Sequence, residues 1–124
     1  MKLLDVEEIV LMHEAVIERT GGELGIRDDR LLISSVESIK ATFDAKELYP
    51  TLVIKAAQLA FSLINNHAFV DGNKRVGILA MLTMLEVNDV LITASKEEIV
   101  DLGLKTADGT YTSQDIVGWI ETKI

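Results

Sequence analysis

Nine consecutive residues, His67-Ala-Phe-Val-Asp71-Gly72-Asn73-Lys74-Arg75, gather an imidazole, a carboxylate, a glycine, an amide and two cations. On either side lie strongly apolar stretches, Leu52 to Ile64 before and Val76 to Val87 behind. Chemistry concentrates in loops of this kind, because the buried elements that flank them hold their side chains in place. Gly72 and Asn73 lead into the start of a helix, whose unpaired N–H groups carry about half a unit of positive charge. Glycine lets a ligand approach the backbone closely, so the pair could cradle a di- or triphosphate. Lys74 and Arg75 extend that reach. Two cations where the helix dipole disfavours them imply that an anion is expected there.

Asp71 stands beside the anion site. One carboxylate together with phosphate oxygens is a common way to hold Mg²⁺. His67 falls at the end of the preceding helix. A free imidazole titrates near ~6.5 and can take up a proton at neutral pH. Phe69 should turn inward and pin the loop to the core. Together these parts describe phosphoryl-type transfer: His67 as base for an incoming hydroxyl, Asp71 for the metal, and Gly72, Asn73, Lys74 and Arg75 for the phosphates. Each alone has a blander reading. A histidine at a helix end often only caps it, Asp-Gly is often a plain turn, and Lys-Arg is often a solvated face. The combination between two buried segments is the more specific signal.

The elements that position this loop read as helices. Asp5-Val-Glu-Glu8 opens one, carried on by Val6, Ile9, Val10, His13, Val16 and Ile17 and stopped by Gly21-Gly22. His13 lies on or beside that apolar stripe and reads as a structural histidine. Gly21 to Arg27, with three glycines, reads as a mobile turn or flap, either a connector or a lid over the substrate. Asp28 caps a second helix with Leu31, Leu32, Val36 and Ile39 inward and Phe43 continuing that face. Asp44 to Tyr49 is a connector ended by Pro50. Thr51 caps a third helix, Leu52 to about Asn66, and a fourth runs from Asn73 or Lys74 to about Asn88 with almost no polar face. Met81 and Met84 read as core filler. Val90 to Thr93 forms a short extended link. Ser95-Lys-Glu-Glu98 and Thr112-Ser-Gln-Asp115 open two more helices. The expectation is one all-α domain over residues 1–124, a compact bundle of about six helices around a central buried helix.

Composition narrows the function classes. The chain has no cysteine, which excludes disulfides, thiolate zinc sites and a cysteine nucleophile. A net charge of −8 argues against a broad nucleic-acid footprint, though not against one bound nucleotide. Hydrophobic residues make up 48 % of the chain, enough for a packed core. Its apolar runs, broken by Lys55 and Glu86, fall short of the roughly 18–20 residues of a membrane span. The acidic start at Asp5, Glu7 and Glu8 lacks a secretory pattern, so a cytoplasmic protein is expected. No GxxxxGK[ST] loop is present, and two histidines are too few for a phosphohydrolase metal cluster.

The motif His67-x-Phe69-x-Asp71-Gly72-Asn73-Lys74-Arg75 resembles the signature of the Fic/Doc superfamily, in its death-on-curing (Doc) branch. Gly21-Gly22, Gly25-Ile-Arg-Asp28 and Leu31-Leu32 are similar to a stretch this branch carries near its N-terminus. The resemblance covers nearly the whole chain. It implies His67 as general base, Phe69 as loop anchor, Asp71 as Mg²⁺ ligand, and Gly72 to Arg75 as the hold on ATP phosphates. Fic adenylyltransferases usually carry glycine at the position of Lys74 and a second arginine at that of Ile78, and the Doc branch shares both departures. The resemblance therefore implies a reversed nucleotide and transfer of the γ-phosphate to a protein Ser or Thr, the branch's target being elongation factor Tu. It also implies a cognate antitoxin whose C-terminal segment lies in an apolar groove. The internal inhibitory pattern of Fic proteins is approached only by Thr93-Ala-Ser-Lys-Glu97, where Glu98 follows. AMP transfer to a protein hydroxyl is the alternative, and a non-catalytic helical interaction module is a third reading.

Overall fold

The computed structural model describes residues 1–124. Six α-helices form the molecule: α1 (Val6–Thr20), α2 (Asp29–Glu37), α3 (Leu52–Asn66), α4 (Asn73–Glu86), α5 (Lys96–Ala107) and α6 (Ser113–Lys123). Five begin where a side chain receives an otherwise orphaned N–H: Asp5, Asp28, Thr51, Ser95 and Thr112. Each such cap contributes about 1 kcal/mol. At Asp5, Ser95 and Thr112 the reciprocal bond is also made, giving full capping boxes. No helix is long and apolar enough to cross a membrane.

The central pair is α3 and α4. Helix α3 packs against α4, α6, α2 and α5, and α4 in turn meets α1 and α5. Leu59, Ala60, Leu63 and Ile64 of α3 and Val76, Ala80, Met81, Met84 and Leu85 of α4 are wholly removed from solvent. They belong to one core of 23 residues, which Leu102 of α5 and Ile116 and Ile120 of α6 complete. Close approach of the pair depends on Gly77. A Cβ there would stand 2.7 Å from Ile64 Cγ1 and 3.3 Å from the Ala60 carbonyl.

Between α2 and α3 the chain departs from expectation. After a single 3₁₀ turn (Ser38–Lys40), Thr42–Phe43 (β1) pairs antiparallel with Lys46–Glu47 (β2), Thr42 opposite Glu47 and Phe43 opposite Lys46. The tight turn places Asp44 and Ala45 in the left-handed region, at φ 52° and 63°. Phe43 does not continue the inward face of α2. The 3₁₀ turn ends the helical period after Ile39, and the hairpin carries Phe43 outward to 74 % exposure. Buried Lys55 of α3 anchors this hairpin, its Nζ donating to the Ile39 carbonyl and to Glu47 Oε1, both at 3.0 Å. Residues 90–93 link α4 to α5 outside any helix or strand, and Thr93 N–H donates to the Lys123 carbonyl at 2.8 Å.

Two measurements test this packing. In a helix, Gly→Ala gains about 1 kcal/mol of propensity if the methyl has space. Gly118 has nothing within 4 Å of its added Cβ, so Gly118→Ala should raise the melting temperature. Gly77→Ala should lower it, by roughly 1–3 kcal/mol of stability, through overpacking. A second test concerns Glu98, whose carboxyl falls from its ordinary 4.5 to about 2, first through the hydrogen bond from Lys123 and then through Ser95. Its folded-state pKa is depressed, so its contribution is present above pH 4.5 and lost as pH falls toward 2. The melting-temperature gap between parent and Glu98→Gln should therefore close over that window.

Candidate active site

Six residues, 67–72, connect α3 to α4. The turn begins at His67, which adopts the left-handed conformation at φ 50° without being glycine. Such a conformation is unfavourable and needs outside support. Arg27 supplies it. Its Nε donates to the His67 carbonyl at 2.6 Å and its Nη2 to the Asn66 carbonyl at 3.1 Å. A guanidinium on the open carbonyls of a helix C-terminus also complements the dipole. The chain around Arg27 is strapped to the loop. Arg27 N–H and Asp28 N–H both donate to the Ala68 carbonyl, at 2.7 and 3.0 Å, and Val70 N–H donates to the Gly25 carbonyl at 3.0 Å. The glycine-rich segment is thus paired along the site rather than standing free of it.

Phe69, in the middle of the loop, is 1 % exposed. Its peptide groups are closed by Asn73. The amide Oδ1 accepts from Phe69 N–H at 3.1 Å, and Nδ2 donates to the Phe69 carbonyl at 3.0 Å. This commits the Asn73 side chain to the loop and leaves its backbone N–H for any phosphate. Beneath Phe69 lies His13, 2 % exposed, its ring stacked on the phenyl at 3.9 Å between centroids and 8° between planes. His13 Nε2 is 2.6 Å from the Asp71 carbonyl oxygen.

The Asp71 carboxylate is held by its surroundings. Oδ2 accepts from Glu23 N–H at 3.2 Å, Oδ1 accepts from Gly72 N–H at 2.8 Å, and Arg75 Nη2 lies 3.6 Å from Oδ1. These contacts, the Glu23 N–H foremost, keep its pKa below the usual carboxylate value, so the group is an anion at neutral pH. Of the double glycine, the second, Gly22, is required here by space. At φ 120°, a Cβ there would stand 2.5 Å from Asp71 Oδ2. No cluster of three or more His, Cys, Asp or Glu side chains could hold a metal. One half-exposed carboxylate with spare lone pairs fits Mg²⁺, which keeps waters and shares phosphate oxygens. It does not fit a closed zinc site, which needs four protein ligands.

Helix α4 alone among the six has no side-chain cap: Gly72 precedes it, at φ 76°. The first N–H to find an acceptor is that of Val76, on the Gly72 carbonyl. The amides of Asn73, Lys74 and Arg75 are left for a ligand. They face a cleft of about 250 Å³ lined by His67, Val70, Asp71, Gly72, Asn73, Lys74, Arg75 and Ala107. Lys74 is exposed. Arg75 is partly turned away, Nη1 donating to the Gly21 carbonyl at 2.8 Å and to Thr20 Oγ1. All the polar candidates meet at this one cleft, with Phe69 below it. Sequence reasoning read His13 as structural, which its burial bears out, but gave Arg27 and Glu23 no role in the site, since the partners of all three lie far along the chain and leave no local signal.

A family model described as the Fic/DOC family matches residues 3–85. The chain therefore belongs to the Fic/DOC family. Among curated proteins it is similar to "Toxin Doc" of Mycolicibacterium smegmatis, 47 % identical over 74 residues, covering 60 % of this chain and 57 % of that protein. It is also similar to "Protein kinase doc" of Escherichia phage P1, 28 % identical over 116 residues, covering 94 % of this chain and 90 % of that protein.

Removing Arg27 tests the strap. Arg27→Ala deletes the donors to the His67 and Asn66 carbonyls, and a hydrogen bond contributes about 1 kcal/mol net. Hydrogen exchange at the Val70 amide should quicken roughly thirty-fold, the equivalent of losing both bonds, about 2 kcal/mol. Exchange within α5 and α6 should not change.

Proposed function

We propose that this protein is an ATP- and Mg²⁺-dependent phosphotransferase of the Doc toxin type, moving the γ-phosphate to a Ser or Thr hydroxyl of a protein, elongation factor Tu being the favoured target. The observation that carries the reading is the convergence of His67, the Asp71 carboxylate and the uncapped start of α4 on one cleft. The relatives' names, a toxin and a protein kinase, support the same reading. Blocking translation in the cytoplasm is the consequence.

The reading gives each residue of the cleft a role. The amides of Asn73, Lys74 and Arg75 and the Lys74 ammonium bind phosphate oxygens. Asp71 would hold Mg²⁺, whose charge offsets that of the phosphates. His67 accepts the proton of the target hydroxyl while its oxygen bonds to the γ-phosphorus. The bond from that phosphorus to the bridging oxygen breaks, and ADP leaves with the electron pair. Lys74 and Ile78 favour this direction over AMP transfer. A lysine fills space where glycine would let the phosphates pass, and Ile78 cannot clamp a distal phosphate.

A cognate antitoxin completes the reading. Next to the phosphate cleft, between α4 and α5, runs an apolar groove of about 320 Å³ lined by Ile78, Leu79, Leu82, Ile99, Val100 and Leu104, with Lys74 and Arg75 at its end. Val100 and Leu104 are about half exposed, at 51 and 53 %. An amphipathic C-terminal segment of the antitoxin would cover them.

The test is transfer of label. Incubated with elongation factor Tu, the protein should label its target from γ-labelled ATP and not from α-labelled ATP. Label arriving only from the α position would replace this reading with adenylyl transfer. His67→Ala should lower the rate by about 10²–10⁴ and abolish toxicity. Undiminished toxicity of that variant would leave a non-catalytic interaction module.

A further inference from the structure

The mechanism leaves one buried polar ring unused. His13 sits on the inward face of α1, 58 residues before Asp71, and makes two contacts of different kinds. Its face lies flat on Phe69. Its edge brings Nε2 to 2.6 Å from the Asp71 carbonyl oxygen. A carbonyl oxygen only accepts, so Nε2 carries a proton and donates. Phenylalanine would keep the flat face but lose the donor. Glutamine would keep an N–H of comparable reach but lose the ring. The site uses both properties at once.

We propose that His13 is a positioning residue for Asp71, setting the rotation of its peptide and thereby the aim of its carboxylate at the metal. The chain of contacts is short. Nε2–H fixes the Asp71 carbonyl, and the N–H of the same peptide unit, that of Gly72, returns to Asp71 Oδ1 at 2.8 Å. The peptide that His13 holds by its oxygen thus holds the carboxylate by its nitrogen. A rotation of that peptide moves both. Gly72 suits the position by its positive φ of 76°, and a Cβ there would press on Ile17 Cδ1 at 3.1 Å. Partners of this kind, one shell behind a metal ligand, typically change metal affinity 10–100-fold when removed.

The inference rests on reading Asp71 as the Mg²⁺ carboxylate, and the experiment separates the two. Mg²⁺ is titrated into the whole protein with a non-hydrolysable ATP analogue, for the parent, His13→Phe and His13→Gln. His13→Phe should bind Mg²⁺ about ten-fold more weakly or worse. His13→Gln should recover most of the affinity. Equal Mg²⁺ affinity of folded His13→Phe and parent would overturn the proposal, as would equal impairment of the two variants. Independently, the ring ¹⁵N shifts of His13 in metal-free parent protein report which nitrogen is protonated. A protonated Nε2 supports the positioning role, and a bare Nε2 overturns it. A parent that shows no Mg²⁺ dependence removes the metal reading of Asp71 instead, and the ¹⁵N shifts then decide by themselves whether His13 holds the Asp71 peptide.

Discussion

The double hydrogen bond between the Asn73 amide and the two peptide groups of Phe69 is the constraint on which the site depends. A six-residue turn between two buried helices must bring its own backbone close to the core, where unpaired N–H and C=O groups are costly. Phe69 supplies the apolar reason to go inward, and Asn73 supplies the polar means. Its amide behaves as a third strand would, accepting from one group and donating to the other. Because Asn73 is also the first residue of α4, the same two bonds fasten the loop to the helix start. The open amides of α4 and the residues of the turn are then parts of one rigid body.

That body is stiffened from outside. The segment from Gly21 to Arg27 runs beside the loop with hydrogen bonds in both directions, and Arg27 keeps His67 in a conformation it would not hold alone. Arg75 reaches back to the end of α1, and Glu23 lends its N–H to Asp71. On the proposed reading, in-line transfer gains from this. Fixing the donor and acceptor geometry in advance removes much of the entropy cost of reaching the transition state. The glycines are there for contact as much as for bending. Gly22 yields the space in which Asp71 lies, and Gly77 yields the space in which α3 lies against α4.

Five helix starts are legible in the sequence because capping is chemistry among residues three apart. Asp5, Asp28, Thr51, Ser95 and Thr112 all cap as the pattern predicts. The site loop is legible for a different reason: its charges and its glycine interrupt two apolar runs. The rest depends on distant partners. His13 looks like any core residue of an amphipathic helix, and nothing near it in the chain marks Phe69 or Asp71 as its neighbours. Arg27 looks like a surface cation until α3 is found to end beneath it. Phe43 misleads because an apolar ring in helical register is read as buried, while a tight turn two residues wide reverses the chain there. The glycine-rich strap misleads in the opposite sense, since composition speaks for freedom and the pairing with residues 68–70 removes it.

A single carboxylate is a weak hold on a divalent cation, and that weakness has a consequence on the proposed reading. No group of three or more acidic or imidazole side chains gathers there to complete a site. The cation would therefore bind with phosphate oxygens or not at all, and nucleotide and metal would stabilise each other's binding. Under that regime the number of protein ligands matters less than the aim of the one present. A carboxylate held by Glu23, Gly72 and Arg75, on a peptide whose oxygen is bonded to a buried ring, is aimed before the ligands arrive. On that reading the protein would contribute orientation where it does not contribute charge, and a small acidic domain could handle a highly charged nucleotide with one short basic stretch.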